Sequence, residues 1–587
     1  LSFTPEETSE CSGKVRRILF WIELASDMGA FLGVRRVGMQ RFGAFALLFC
    51  AMMLMLGQTS AGGGSGVSLD LTVKESLQSQ AIMVGLLILI GVYALIVTEV
   101  VHRTLAAALG GLIAVGALQY YTGETLSLAM VTTMIDWETI GLLLGMMIMV
   151  GVLSHTGVFE YFAVEAYKRS GGNVWTLVVT LCIITAILSA FLDNVTTMLL
   201  LTPVTLQLAK VLDLKPIPLL IAEVLFSNIG GTATMIGDPP NIIIGSQMSK
   251  DAIASSAYPE LADSGVSFND FMIELAPGII MTIIPAFMLL KWMYKDEFSG
   301  TRIRDVKELE TKYGIKDMKM LRSAGTILVL VVIGFFTHPM THIPVSWISL
   351  IGAVLMLTFT NRHEMEEPLE EVEWTTLLFF AGLFVLIHSL QYMGVITWIG
   401  GKVIAGIEMF PSDEKTRLLA SIVIILWVSA IVSAFLDNIP YTATMIPIVL
   451  QIAWELNIDL EPLIWALAFG ACLGGNGTLI GASANVVTAG MSEEAGYPIS
   501  FNEFFKAGFP MMILTTFIVT LYMLLVYGIG PVFKIVCVGI SILGFIWQYS
   551  LGKKKGKTWA EALVDDTSVF EEVSEAIGEI TGKSQEE

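Results

Sequence analysis

An all-α polytopic membrane protein built from two inverted repeats is the fold class this sequence predicts, on three observations. Apolar runs long enough to cross about 30 Å of hydrocarbon recur along the chain, and only 15% of its 587 residues are charged while 55% are hydrophobic. The word Ser189-Ala-Phe-Leu-Asp-Asn194 returns as Ser433-Ala-Phe-Leu-Asp-Asn438, 433 − 189 = 244 residues later. A glycine-rich word, Gly230-Gly-Thr-Ala-Thr-Met-Ile-Gly237, returns at the same offset of 244 as Gly474-Gly-Asn-Gly-Thr-Leu-Ile-Gly481. A barrel would show short alternating strands instead. A duplicated, interrupted, polar element in an apolar chain points to a transporter's binding site.

Residues 1–41 are polar and carry Lys14, Arg16, Arg17, Arg35, Arg36 and Arg41, reading as a cytoplasmic segment. The run at 42–57 is a first transmembrane helix or a signal-like segment, since a basic flank, short apolar core and small residues fit both. A Gly/Ser-rich linker, 58–80, follows on the non-cytoplasmic side. The first transporter repeat is assigned to 81–291. It has crossings near 81–101, 104–119 and 139–155, then two apolar arms over 174–212 around Asp193-Asn194. Crossings near 217–245 and 271–291 complete it. A basic connector, 292–322, leads to the second repeat, 323–528, with crossings near 323–338, 344–360 and 374–394. Its arms span 416–456 around Asp437-Asn438, and crossings near 462–490 and 508–528 close it. An extra helix, 529–550, precedes a cytoplasmic acidic tail, 551–587.

Reading each arm pair as a re-entrant hairpin places both ends on one side. The connector, the 156–173 loop and the Lys553–Lys557 cluster then share that side, which the positive-inside rule makes cytoplasmic. The repeat extends further: Trp137 and Gly157 match Trp374 and Gly394 at an offset of 237, and Ser267-Phe-Asn269 matches Ser500-Phe-Asn502. One copy enters from the cytoplasmic side and the other from the opposite side, so the halves are inverted, as alternating access requires. The net charge of −20 disfavours nucleic acid. The five cysteines are widely separated and show neither a disulfide framework nor a metal spacing.

Asp193, Glu223, Asp238 and Asp437 lie inside apolar runs, where each would cost about 2.5–3.5 kcal/mol facing lipid. They belong in a protein-lined or watery cavity and are the coupling candidates. A structural polar network is the alternative. Glycines and the Asp238-Pro239-Pro240 step break the helices near Gly231 and Gly474. Unwinding frees carbonyls for a cation and exposes helix N-termini suited to an anion. Candidate ion- or substrate-binding residues are therefore Asp193, Asn194, Thr196, Thr197, Gly231, Thr232, Thr234, Asp238 and Asn241 in the first half. Asp437, Asn438, Thr442, Asn476, Thr478, Ser483 and Asn485 are those of the second. The halves differ: Glu223 and Asp238 correspond to Leu467 and Ala482, so the cation or proton site is assigned to the first half. His155 and His388 read as interfacial histidines.

Phe191-Leu-Asp-Asn-Val-Thr-Thr, Ala222-Glu-Val, the run Asn228–Asn241 and the run Ala471–Val486 closely resemble the P protein (pink-eyed dilution) family. That family belongs to the arsenite-permease/sodium–proton-antiporter branch of the ion transporter superfamily and shares a citrate-transporter-like domain. The resemblance covers about 80–528 and implies the fold of the dicarboxylate/sodium symporters. There, two re-entrant hairpins and two unwound helices meet near mid-membrane, a scaffold domain dimerises, and transport is by an elevator movement. The symporters' hairpin tips carry Ser-Asn-Thr. Here Asn194 and Asn438 carry over but the serines do not, which favours the antiporter/P-protein branch, linked in animals to melanosome pH and an anion conductance.

The function expected is secondary active transport of a small ion or organic anion, coupled to protons or sodium, with no cofactor and no enzymatic activity. The protein would act as a homodimer in an organelle membrane (melanosome- or endolysosome-like) or the plasma membrane. An anion (chloride-like) channel on the same scaffold or a sodium/proton antiporter is the alternative, and an intramembrane aspartyl protease using Asp193 and Asp437 is the remoter one.

Overall fold

A computed structural model describes residues 71–98, 100–301, 314–360, 365–411, 413–554 and 558–563. The calls on 1–41, 42–57 and most of 58–80, on the heart of the connector and on the tail from 564 onward lie outside the described residues. All the longer elements are helices. The first repeat comprises α1 Gln78–Thr98, α2 Arg103–Thr122, α3 Trp137–Ser154, α4 Val158–Ser170, α5 Val174–Phe191, α6 Asn194–Leu212, α7 Pro216–Gly231, α8 Pro239–Gln247 and α9 Phe268–Met293. The second comprises α10 Met318–Thr341, α11 Val345–Thr360, α12 Trp374–Tyr392, α13 Val395–Ile407, α14 Glu414–Phe435, α15 Asn438–Leu456, α16 Glu461–Gly474, α17 Ser483–Glu494 and α18 Phe501–Gly528. The extra helix is α19, Val532–Lys554.

Matching local signals end matching helices. Asp193 caps α6 by accepting from Thr196 N at 2.9 Å, and Asp437 caps α15 by accepting from Ile439 N at 3.1 Å. Asp213 and Asn457, again 457 − 213 = 244 apart, close α6 and α15 in the left-handed conformation at φ 56° and 50°. Short polar side chains tolerate that conformation best after glycine. Gly157 and Gly394 open α4 and α13 at φ 77° and 81°.

Ten helices among the described residues are long and apolar enough to cross a membrane, three of them hairpin arms. Helices α7, α8, α16 and α17 fall short singly because each broken crossing is divided in two. The protein is thus all-α and polytopic, each repeat carrying a hairpin broken at Asp-Asn and a helix unwound at its glycine-rich word. Helices α4 and α13 lie between the expected crossings, and α4 occupies the segment 156–173 expected as a loop. Each is 13 residues long, too short to cross, and α4 buries only one face (Phe159, Ala163, Val164, Ala166, Tyr167).

The described chain forms two compact units. Trp137–Thr156 and Lys316–Glu373 form one, in which α3 packs on α10 and α11. The other holds the remaining helices, and within it α12 packs on α1 and α2. The third helix of each repeat thus packs on the first two of the other, the reciprocal swap that two-fold-related repeats produce. Both boundaries near Trp137 and Trp374 fall on the repeat-matched tryptophans.

In the larger unit α5 crosses α7 and α14 crosses α16 at small residues. A Cβ on Gly230 would lie 2.5 Å from Ala186 Cα, and one on Gly474 would lie 2.6 Å from the Ala430 carbonyl oxygen. The hairpin and the broken helix therefore touch backbone to backbone. Gly230→Ala should lower the melting temperature of the purified protein, overpacking costing about 1–3 kcal/mol. Gly325→Ala, whose Cβ meets nothing within 4 Å, is the control and should not.

Helix α19 is tied to α9 by an ion pair between Lys534 and the buried Glu274, whose Oε2 also accepts from the Tyr527 hydroxyl at 3.0 Å. This intramembrane carboxylate was absent from the sequence candidates. Beyond α19 a helical turn at Trp559–Leu563 sits on the start of α5, where Trp175 Nε1 donates to Ala560 O at 3.0 Å.

Candidate functional site

The two hairpin tips and two helix breaks come together around one buried amide. Asn228, on the last turn of α7, accepts at Oδ1 from Asn194 Nδ2 at 3.0 Å, joining the first break to the first tip. Its Nδ2 donates to Asn476 Oδ1 at 2.9 Å and Asn485 Oδ1 at 3.0 Å, joining the first break to the second. The second tip enters through Asn438, whose Nδ2 donates to Asp238 Oδ1 at 3.3 Å. All six side chains are buried. Asn228 was read only as part of a motif. Its repeat equivalent, Cys472, is too short to make the same reach and instead lies 3.3 Å from Asn241 Oδ1.

The breaks themselves are stapled. Asn241 Nδ2 donates to the carbonyls of Thr232 (3.1 Å) and Thr234 (2.9 Å), and Asn485 Nδ2 donates to those of Gly475 (2.8 Å) and Thr478 (2.9 Å). Carbonyls freed by unwinding are thus satisfied by side-chain amides, so Asn241 and Asn485 hold the breaks in shape. Thr234 and Thr478 bind their breaks to the opposite hairpin arm, at the carbonyls of Ala190 and Ala434. Thr232 and Thr442 return their hydroxyls to the carbonyls of Asn228 and Asn438 at 2.7 and 2.8 Å. Gly231 is needed because a Cβ there would run into the carbonyl of Gly237 across the break. Among the predicted residues, these threonines, Gly231 and the two asparagines shape the site.

The two acidic tips have different surroundings. Asp193 accepts from Thr196, at the backbone N (2.9 Å) and the hydroxyl (2.5 Å). Among the described residues no Lys, Arg or His is within ion-pair distance of it. Asp437 accepts from Ser483 Oγ at 3.0 Å and is paired with Arg103 Nη1 at 3.4 Å. Arg103, the first residue of α2, also donates to Ser483 Oγ and lies over the Phe379 ring, 5.7 Å from its centroid. Sequence reasoning missed Arg103 because it falls in the short gap between the apolar runs 81–101 and 104–119, and its partner Asp437 is 334 residues away.

Three buried oxygens at the tips and breaks have no hydrogen-bond partner: Asn194 Oδ1, Thr197 Oγ1 and Asp238 Oδ2. All three belong to the first repeat. Glu223 lies apart from the amide network, held by Thr205 Oγ1 at 2.9 Å with its other oxygen unpartnered. His155 approaches Glu367 at 3.6 Å, and His388 Nδ1 lies 3.0 Å from the Phe384 carbonyl.

A family profile described as citrate transporter (CitMHS) matches residues 93–470. The human P protein is 41% identical over 525 residues, covering 78% of this chain and 61% of that protein. The mouse P protein is 42% identical over 510 residues, covering 75% and 60%. The chain therefore spans about three fifths of the P proteins it matches. An uncharacterized transporter of Mycobacterium tuberculosis is 39% identical over 454 residues, covering 76% of this chain and 99% of that protein. Among solved structures, the YdaH transporter of Alcanivorax borkumensis, described as having an unusual topology, aligns at 13% identity and a TM-score of 0.48. The alignment covers 67% of this chain and 86% of that one. The profile spans both hairpins and the first break, and the bacterial transporters match over almost their whole length. The polytopic chain belongs to the citrate transporter family and is similar over about three quarters of its length to the P proteins, members of the ion transporter superfamily.

Proposed function

We propose that the protein is a secondary active transporter of a small ion or organic anion, driven by a proton or sodium ion that loads at the first repeat. The observation that carries this reading is the orphaned oxygens of Asn194, Thr197 and Asp238, in the half whose tip carboxylate, Asp193, has no cationic partner. A buried oxygen without a donor is stabilised by a cation or a proton. No oxygen of the second tip is orphaned in this way, and its carboxylate, Asp437, is paired with Arg103.

The relay through Asn228 gives coupling a physical route. Loading at Asp193 and Asn194 changes what Asn228 accepts, and Asn228 in turn holds the second break. An anion would be met by amide donors and by the N-terminal ends of α6, α8, α15 and α17. Alternating access by an elevator movement, assembly as a homodimer and a role in organelle pH belong to the same proposal. Reconstituted vesicles with an internal pH dye, offered Na⁺, Li⁺, Cl⁻, arsenite, citrate or tyrosine in turn, test it. Saturable uptake of one of them, stimulated by a proton or sodium gradient and by substrate on the far side, is expected. Flux that neither saturates nor responds to exchange overturns transport in favour of a channel.

A further inference from the structure

We propose that Arg103 is a tethered cation that fills the second repeat's coupling position permanently, so that each protomer loads a single exchangeable cation, at the first repeat. The inference rests on the cation-loading reading above and assigns it a stoichiometry. Two inverted repeats with an aspartate at each tip ought to make two equivalent cation sites. They do not, because Asp437 Oδ2 accepts from both Ser483 Oγ and the Arg103 guanidinium, whereas Asp193, held by Thr196, has no cationic partner among the described residues.

The guanidinium is held there. Its carbon lies 5.7 Å from the Phe379 ring centroid and it donates to Ser483. Asp437 is 8% exposed and Phe379 fully buried. A guanidinium stays charged at every pH the protein meets and cannot leave. It therefore neutralises Asp437 in each conformation that preserves the contact, without entering or leaving with the cycle. Around the same tip, Tyr93 of α1 donates to Pro440 O at 3.0 Å and meets Thr444 Oγ1 at 2.8 Å, fixing α15 beside α1. Among the described residues the further ionisable group bonded at this tip is Asp238, reached through Asn438.

The asymmetry is written in the repeat. Residues 483 − 244 = 239 and 440 − 244 = 196 show that Ser483 and Pro440 of the second half correspond to Pro239 and Thr196 of the first. Ser483 thus has no hydroxyl counterpart, and Thr196 supplies locally the donor that Arg103 and Ser483 bring to Asp437. The turn matching Arg103, between α10 and α11, reads His342-Ile343-Pro344 and has no Arg or Lys.

Equilibrium binding of ²²Na⁺ to the purified full chain, with choline as the replacement ion, tests the assignment. Wild type should bind one Na⁺ per protomer, Arg103→Gln two, and the double variant R103Q/D437N one again. Arg103→Lys, which keeps the charge, should also bind one. A folded Arg103→Gln that still binds one Na⁺, or a wild type that binds two, overturns the proposal and leaves loading at the first repeat standing. A wild type that binds none with an Arg103→Gln that binds one keeps the tethered cation and removes sodium from the first repeat. No binding by either overturns both for sodium. Should Arg103→Gln be unstable, its melting temperature in NaCl against choline chloride decides: a vacated cation site is stabilised by Na⁺ through mass action. Equal melting in the two salts means Arg103 only anchors the helix, and the proposal falls.

Discussion

Asp193→Asn is expected to reduce gradient-driven flux at least tenfold while leaving the protein folded, with a melting temperature close to wild type. Asparagine caps a helix as well as aspartate, so the bond from Thr196 N to position 193 survives. Only the charge is lost, and a tenfold change corresponds to about 1.4 kcal/mol, well within what one coupling charge supplies. The matched change in the other half should behave differently. Asp437→Asn strips Arg103 of its counter-ion and leaves a largely buried positive charge. Breaking one side of a buried pair costs about 3–5 kcal/mol, and partial exposure of Arg103 places this case at or below the lower end. Asp437→Asn should therefore melt earlier than Asp193→Asn, and R103Q/D437N should recover part of the loss. Equal melting of the two single variants would contradict the asymmetry between the tips. Retention of full gradient-driven flux by Asp193→Asn would remove the first repeat as the loading site.

Asn228→Asp is expected to inactivate the protein more completely than either change at a tip, although the side chain keeps its size. Asn228 donates twice, to Asn476 and Asn485, and accepts once, from Asn194. A carboxylate in its place would oppose two oxygens to its own. Each buried polar group left unsatisfied costs about 1–3 kcal/mol, so the two lost bonds together approach the lower range of a domain's net stability, about 5 kcal/mol. Transport should fall below detection, and melting should fall by more than for Asn476→Asp, where one partner of the network changes rather than its centre. Thermal scanning beside vesicle uptake checks both. Flux within threefold of wild type in Asn228→Asp would show that the two breaks are not coupled through this amide.

Much of this architecture is legible without coordinates because it is written in covalent order. The 244-residue offset places Asp193 against Asp437, Thr234 against Thr478 and Asn241 against Asn485, and the last two pairs take matching partners. Helix ends are equally local: Asp213 and Asn457 stop their helices, Gly157 and Gly394 start theirs, and none needs a distant contact. Amphipathic α4 and α13 escaped because they are too short to cross and too mixed in composition to stand out. Glu274 escaped because its countercharge, Lys534, is 260 residues away.

The order of the residues alone determined that the chain is an all-helical membrane protein, doubled, with a broken helix and an acidic tip in each half. Periodicity, apolar length and repetition are properties of neighbours along the chain. Which acidic tip remains without a counter-ion was decided only in three dimensions. The Arg103–Asp437 pair spans 334 positions, and the Asn228 bonds to Asn476 and Asn485 span 248 and 257. Contacts that long form only when the repeats interlock. The sequence comparison had correctly found the first half richer in carboxylates. The fold adds the difference between the two tips: Asp437 is answered by the Arg103 guanidinium, while Asp193 has no cationic partner among the described residues.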